Sequence, residues 1–274
     1  MTPETAQKLE AFFSRFARGA RPLLLLDYDG TLAPFRVDRF KARPWAGVRE
    51  LLQKIQNQGS TRIRVISGRP AREVAQLLAL EPVPETWGLH GSQRLHSDGT
   101  CEQEQLPAET QARLNTLREL LRRDSFGGLF EDKPNAAVMH WRGASPQRAA
   151  EIEACTRELF EPLAQIEGLT LLKFEAGLEL RAGLDKGGAV SAILREASAG
   201  APLEDPAAYL GDDFTDEAAF RAVDSSPGPH LSVLVRRQWR ETAADLWLHP
   251  PRELLAFLNR WLHAVQPAEK LPHL

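Results

Sequence analysis

The sequence predicts an α/β protein: a doubly wound parallel-sheet core with a smaller α+β module inserted in the order α-β-β-α-β-β. Three observations predict it. Leu23–Leu26 is four leucines in a row, the pattern of a short strand covered on both faces. Strand-like and helix-like segments alternate up to about residue 104 and again from about residue 184, as right-handed crossovers require. Residues 105–183 break that rhythm with paired strands. The core is therefore expected over 1–104 and 184–274, and the module over 105–183.

Each element has a local reason. Leu9, Phe12, Phe13 and Phe16 recur at helical spacing after a Thr2-Pro3-Glu4 start, predicting an amphipathic helix over about residues 3–17. It lacks the pattern of a secretory signal, and its apolar face is expected to pack on the body rather than on a membrane. Pro44 is expected to open a helix carrying Val48, Leu51, Leu52 and Ile55, stopped near Gly59. Arg62–Ile66 is a second strand, Pro70 starts a helix through Leu78, and residues 85–91 read as a third strand.

In the module, helices are expected over 107–122 and Pro146–Ala164, strands over 126–133 and 136–142, and a last strand pair joined near 175–177. Beyond it, a helix from Lys186 to about residue 196 precedes a strand ending at Asp212-Asp213 and a helix over 215–223. Strands at 231–235 and about 244–249 and a closing helix at 251–261 complete the core.

Composition excludes several classes. The formal net charge is −3, which gives no footprint for nucleic acid or an anionic membrane. No apolar run approaches the roughly 20 residues of a membrane span. Cys101 and Cys155 stand alone, so no disulfide framework is expected, and a reducing, cytoplasmic setting is. The seven histidines show no zinc-ligand spacing. No apolar stripe is left over once the helices pack, so a monomer is expected.

Ligands of open α/β sheets bind beyond the carboxyl ends of the strands. Those ends deliver Asp27 and Asp29, then Ser67, Gly68 and Arg69, then His90 and Gly91, then Asp212 and Asp213 with Asp216 just beyond. Lys186 opens the helix that returns from the module. Aspartates so close cannot all stay ionised without a cation, and an all-oxygen set favours Mg²⁺. Ser67 and Lys186 supply donors to a bound anion. A metal and an anion on one rim suggest phosphate, with Asp27 as nucleophile and Asp29 as the acid and base that serves the leaving oxygen and then the water. Taken singly, Ser67 is a helix cap, the Asp212-Asp213 pair a turn and Lys186 a solvated lysine. Their joint order at strand ends argues for catalysis.

These motifs ("DYDGT", "SGR", a lysine before the last third, "GDDFTDE") resemble the haloacid dehalogenase superfamily of phosphotransferases. Within it, "DYDGTLAP", "ISGRP", "GLHG", "EDKPNAAVMHWR", "GLELRAGLDKGGAV" and "LGDDFTDEAAF" are similar to the trehalose-6-phosphate phosphatase family, over about residues 22–262. The resemblance implies a haloacid-dehalogenase-like core with the module as cap, and Mg²⁺-dependent hydrolysis of a sugar phosphate through an aspartyl phosphate. It implies that Asp27, the Asp29 backbone and Asp212 hold Mg²⁺ with Asp213 in support, and that Ser67 and Lys186 bind phosphate. By the same resemblance Gly68, Arg69, His90 and Gly91 lie near the substrate, and Thr31 and Asp216 support the site. The cap would read the sugar through Glu131, Lys133, His140, Arg142 and Glu179.

Alternation in the strands adds to this. It puts His140 and Arg142 on one face and Met139 and Trp141 on the other, and Glu179 with Arg181 opposite Leu178 and Leu180. A sheet backed by helices would turn the polar set toward the carboxylates, or merely toward solvent. Another sugar phosphate, such as sucrose 6-phosphate or mannosylphosphoglycerate, stays open as substrate. A non-catalytic phosphosugar-binding module is disfavoured because Asp27 and Asp29 are both present.

Overall fold

The computed structural model describes residues 3–16, 20–36, 38–123, 128–166, 168–174, 176–198 and 204–266. Thr2 and residue 17 at the ends of the first expected helix, residues 126–127 of the expected strand 126–133, and residue 175 lie outside that set.

In chain order the first part forms α1 (Pro3–Ser14), β1 (Leu23–Leu26), α2 (Val48–Asn57), β2 (Arg62–Ile66), α3 (Ala71–Leu78), β3 (Glu85–Gly88), β4 (Gln93–Leu95) and β5 (Cys101–Gln103). Then come α4 (Ala108–Arg123), β6 (Phe130–Lys133), β7 (Ala136–His140), α5 (Pro146–Ala164), β8 (Leu169–Phe174) and β9 (Gly177–Ala182). The last part is α6 (Lys186–Ser198), β10 (Ala207–Gly211), α7 (Glu217–Asp224), β11 (His230–Val235), β12 (Leu246–Leu248) and α8 (Arg252–Val265).

One sheet has eight strands in the order β12-β11-β10-β1-β2-β3-β4-β5, and the other four, β6-β7-β9-β8. The four leucines of β1 show why the first sheet is covered twice. Leu24 and Leu26 enter a cluster with residues of α1, α2, α3 and α8. Leu23 and Leu25 point the other way, into a cluster with α6 and α7. Alternation sends successive side chains to opposite faces, so a strand in the middle layer must be apolar at every position.

Strands β1, β2, β3, β10, β11 and β12 pair in parallel as expected, but β4 and β5 add antiparallel pairings at one edge. Returning a parallel strand needs a dozen or more residues of crossover. Only a 3₁₀ turn, Leu89–Gly91, separates β3 from β4, so the chain folds back instead. The signal was present: Asp98-Gly99 is a hairpin turn sequence, and the Asp98 carboxylate accepts from the Thr100 N–H at 2.8 Å.

Two other boundaries differ. The helix expected at Pro44 begins only at Val48, because the Trp45 N–H donates to the Leu32 carbonyl at 2.9 Å and holds that segment against the loop after β1. The strand expected over 85–91 stops at Gly88, beyond which Leu89 and His90 take positive φ (49° and 59°) and lift out of the sheet.

Helix α1 packs inward. Phe12, Phe13 and Phe16 meet Trp261 of α8 with ring centroids 5.9, 6.3 and 4.9 Å apart. Among the described residues no helix is long and apolar enough to cross a membrane. In the second sheet, Met139, Trp141, Leu178 and Leu180 pack on α4 and α5 through Leu114, Leu117 and Phe160. This leaves the opposite face of that sheet for polar residues. Trp261→Ala removes the hub of the α1–α8 cluster and orphans the Thr61 hydroxyl that accepts its indole N–H. It should cost about 3–5 kcal/mol, read as a lowered urea midpoint at unchanged slope.

Candidate active site

The chain leaves β1 toward β2 on one side and returns as β10 on the other, so the carboxyl end of β1 is a topological switch point. Asp27 emerges there, buried, at the mouth of the crevice. Its Oδ2 accepts from the Thr31 hydroxyl at 2.8 Å, and its Oδ1 from the Lys186 ammonium at 2.7 Å. Lys186, first residue of α6, also donates to Asp216 Oδ1 at 2.7 Å.

Asp216 has both oxygens occupied by protein donors. Oδ1 also accepts from the Tyr209 hydroxyl at 2.5 Å, and Oδ2 takes the backbone N–H groups of Asp212 and Asp213 at 3.0 and 2.9 Å. The carboxylate thereby shapes the loop after β10. A Cβ on Gly211 would lie 2.5 Å from Asp216 Cγ, so the motif needs glycine at that point. Gly30 has φ +83°, and a Cβ there would fall 1.9 Å from Asp212 Oδ2. The glycines of "DYDGT" and "GDD" are the spaces into which the carboxylates fit.

Oxygens of Asp27, Asp212 and Asp216 lie within 4.8 Å of one another, all buried. Burial pushes Asp27 up to about 7, with Asp216 adding to the rise and Lys186 opposing it. Burial, then the charges of Asp27, Asp216 and Asp213, hold Asp212 well above the usual carboxylate range. Asp216 is the exception: burial raises it, but Lys186 and its hydrogen bonds outweigh that and keep it low. Burial lowers Lys186, yet Asp216 and Asp27 more than reverse this and leave it above its ordinary value.

One ammonium thus faces three carboxylates, and the surplus negative charge is that of a divalent-cation site. The donors are all oxygen, which suits Mg²⁺. With Asp216 saturated, Asp27 and Asp212 are the carboxylates left to hold the ion. The expected set is refined accordingly. Asp29 turns its side chain to Arg69, leaving only its backbone for the metal. Asp213 lines the cavity, and its Oδ1 accepts from the Phe214 N–H at 2.8 Å.

A cavity of about 360 Å³ opens above these groups, between the two sheets. Of the expected residues, it is lined from the core by Ser67, Gly68, Arg69 and His90, with Asp29. From the second sheet come Glu131, Lys133, His140, Arg142 and Glu179. All five border the cavity above the carboxylates, with Glu179 buried and Arg142 exposed at its edge. Glu179 is buried 3.4 Å from His90 and 3.6 Å from Lys133. Burial raises Glu179, but Lys133 and His90 outweigh it and hold the carboxyl well below its usual range. Burial holds His90 below its ordinary value despite the Glu179 carboxylate beside it. The His140 hydrogen bond, 2.9 Å long, holds Glu131 down at about 2.

Gly91 is corrected. It does not line the cavity; with φ +120° it lies beneath, where a Cβ would meet Ala189 Cβ at 2.9 Å. It serves the packing of α6, which carries Lys186. Thr31 donates to Asp27 and Asp216 accepts from Lys186, neither of them lining the cavity. Several lining residues were missed. Val138 sits two positions before His140, so alternation placed it on the same face. Phe35 and Arg36 directly follow "DYDGTLAP", and the Arg142 guanidinium lies 5.5 Å from the Phe35 ring centroid. Thr215 stands inside "GDDFTDE" but was not singled out, whereas Arg39 and Phe174 carried no sequence signal, since their neighbours across the cavity are distant in the chain.

The chain superposes with TM-score 0.76 on the C-terminal domain of trehalose-6-phosphate phosphatase from C. albicans, at 22% identity, covering 93% of this chain and 96% of that one. It matches a haloacid dehalogenase-like hydrolase from B. subtilis with TM-score 0.60 at 18% identity, covering 86% and 98%. The fold is therefore that of haloacid dehalogenase-like hydrolases. The trehalose-phosphatase family model matches residues 25–248, and the chain belongs to that family. A relative from Mycobacterium marinum, described as trehalose-phosphate phosphatase, is 32% identical over 254 residues, 88% of this chain. The chain spans 61% of the length of that relative.

Gly30→Ala should push Asp212 off its seat and weaken Mg²⁺ binding by about 10- to 100-fold, measured by calorimetric titration. The raised Asp27 carboxyl has a second consequence. Its folded value of about 7 exceeds the ordinary 3.8, so without metal the folded protein binds a proton that the unfolded chain has lost. Stability without metal should therefore be greatest below pH 4 in this respect and decline as pH rises through about 7. Mg²⁺ competes with that proton, so the rise in urea midpoint on adding Mg²⁺ should be larger at pH 8 than at pH 5.

Proposed function

We propose that this chain is a trehalose-phosphatase, hydrolysing trehalose 6-phosphate to trehalose and phosphate, with residues 105–183 as cap on a core of 1–104 and 184–274. The observation that carries it is one cavity that joins two chemistries in a chain of this family. Asp27, Lys186 and Asp212 lie at its floor, and Glu131, Lys133, His140 and Glu179 face them. The floor suits a phosphoryl group and the facing side a hydroxyl-rich sugar. Buried carboxylates and donors left unpaired would reject ligands lacking matching hydroxyls.

In this reading an Asp27 oxygen attacks phosphorus, and the bond from phosphorus to the sugar oxygen breaks. Asp29 gives a proton to that oxygen, so trehalose leaves and Asp27 carries the phosphoryl group. Asp29 then takes a proton from water as the water oxygen attacks phosphorus, which frees phosphate and restores Asp27. Lys186 and Ser67 bind the phosphoryl oxygens, and Thr31 orients the nucleophile. Mg²⁺, when bound by Asp27, Asp212 and the Asp29 backbone, neutralises charge that would otherwise repel an anionic nucleophile from an anionic phosphate. The cap side chains hold the disaccharide and exclude bulk water.

The reading extends to a cytoplasmic enzyme acting as a single chain, without nucleic-acid or membrane partners. Cys101 and Cys155, exposed and unpaired, support a reducing compartment. Phosphate release across a panel of sugar phosphates tests the proposal: trehalose 6-phosphate should give the highest kcat/KM, and sucrose 6-phosphate or glucose 6-phosphate ahead of it would overturn the substrate. Asp27→Asn should cut turnover to below about 10⁻³ of the unmodified chain. A near-normal rate would refute covalent catalysis.

A further inference from the structure

Five charged side chains run in one line from the catalytic rim to the cap. Arg69 grips Asp29 with Nε to Oδ2 at 2.5 Å and Nη2 to Oδ1 at 2.6 Å. Its third nitrogen, Nη1, donates to Glu73 Oε1 at 2.5 Å and to the Arg39 carbonyl at 2.8 Å. The Arg39 side chain shares that carboxylate, with Nε to Oε1 at 3.1 Å and Nη2 to Oε2 at 2.9 Å. Its remaining nitrogen, Nη1, reaches across the seam to Glu131 Oε1 at 2.7 Å. Glu131 Oε2 in turn meets His140.

The members come from separate elements: the turn after β1, the turn after β2, α3, the 3₁₀ turn Arg39–Lys41 and β6. Side-chain exposure is 24% at Asp29, 9% at Arg69, 15% at Glu73, 38% at Arg39 and 31% at Glu131, so Arg69 is the most shielded member and Arg39 the most open. Exposed ion pairs are weak and screened by solvent, whereas shielded ones are harder to part. The link at Arg39 is therefore the one that can open and close, and the link at Arg69 the one that transmits. Only a guanidinium can do this, since its planar fork engages Glu73 and Glu131 at once while an ammonium is a single point charge.

We infer that Arg39 is a positioning residue that ties closure of the cap over the sugar to the placement of Asp29. The inference rests on the phosphatase reading above. With the cap down, Glu131 and Glu73 pin Arg39, whose carbonyl and shared carboxylate fix Arg69, whose fork fixes Asp29. When the cap lifts, Glu131 goes with it, Arg39 is released to solvent, and Glu73 is left to Arg69 alone. Asp29 then loses its defined bearing on the leaving oxygen. Substrates with a sugar that closes the cap benefit from this tie; a small phosphate monoester does not.

Arg39→Ala and Arg39→Lys test it with trehalose 6-phosphate and p-nitrophenyl phosphate in parallel. Misplacement of a reacting group by about 1 Å costs up to about 100-fold, so kcat for trehalose 6-phosphate should fall by about 10- to 100-fold in both variants. KM should move by less than about threefold, because the sugar contacts remain. The loss should exceed that on p-nitrophenyl phosphate by about tenfold or more. Equal losses on both substrates, a loss confined to KM, or rescue by lysine would overturn the inference.

Cys101 on the core and Cys155 on the cap, both exposed, permit a readout independent of turnover. Spin labels on the two should report a single shortened distance when trehalose 6-phosphate is added in EDTA. In Arg39→Ala the distance should still shorten, because the sugar contacts remain and only the relay to Asp29 is cut; a distribution that stays broad would make Arg39 part of closure itself and would also overturn the inference. Should the panel show that another sugar phosphate is preferred, the substrate reading fails, and the same kcat comparison is made with that sugar phosphate. Arg39 then stands or falls on its own variants.

Discussion

A buried ammonium between two buried carboxylates organises this molecule. Lys186 touches Asp27 and Asp216 at 2.7 Å each, at the carboxyl end of a strand made only of leucine. Desolvating an ion costs several kcal/mol even after relaxation, so such a group persists only where opposite charges and hydrogen bonds meet it. Here they do on one side alone. Asp216 is fully satisfied, whereas Asp27 and Asp212 carry the surplus. A site with a deficit of positive charge, open toward a cavity, is prepared for a cation and for the anion that the cation brings.

The fold supplies the means. Strand β1 can be apolar at all four positions because helices cover both faces. The chain can diverge from it in both directions because crossovers place β2 and β10 on either side. Gly30 and Gly211 leave volume that any side chain would fill, and two carboxylates occupy it. Each of these looks like a small local choice, yet together they place three acidic oxygens within 4.8 Å in a nearly dry setting.

The cap is organised by a different balance. Its apolar face is consumed by α4 and α5, so its polar face is free to meet the core. Across that seam the contacts are polar: the buried Glu179 carboxylate with the His90 imidazole, and the ion pair of Glu131 with Arg39. The Glu131–Arg39 pair is partly exposed, so it can be made and broken at little cost. An apolar seam of the same extent would stay shut.

The sequence alone determined what local chemistry can encode. Runs such as Leu23–Leu26, alternation such as Met139/His140/Trp141, and acidic motifs at strand ends depend on neighbours within a few positions. They carried the fold class, the acidic residues at the strand ends and the polar residues Glu131, Lys133, His140, Arg142 and Glu179 that line the cavity. Tertiary structure decided the rest, because the deciding partners are far apart in the chain. Asp216 was legible as a supporting residue, but its saturation by Lys186, Tyr209 and two backbone N–H groups was not. Gly91 looked like a binding residue beside His90 until its φ and its closeness to Ala189 showed a packing role. Arg39 sits in an irregular loop with no periodicity to read. It gains meaning only where folding brings it between Glu73, 34 residues away, and Glu131, 92 residues away.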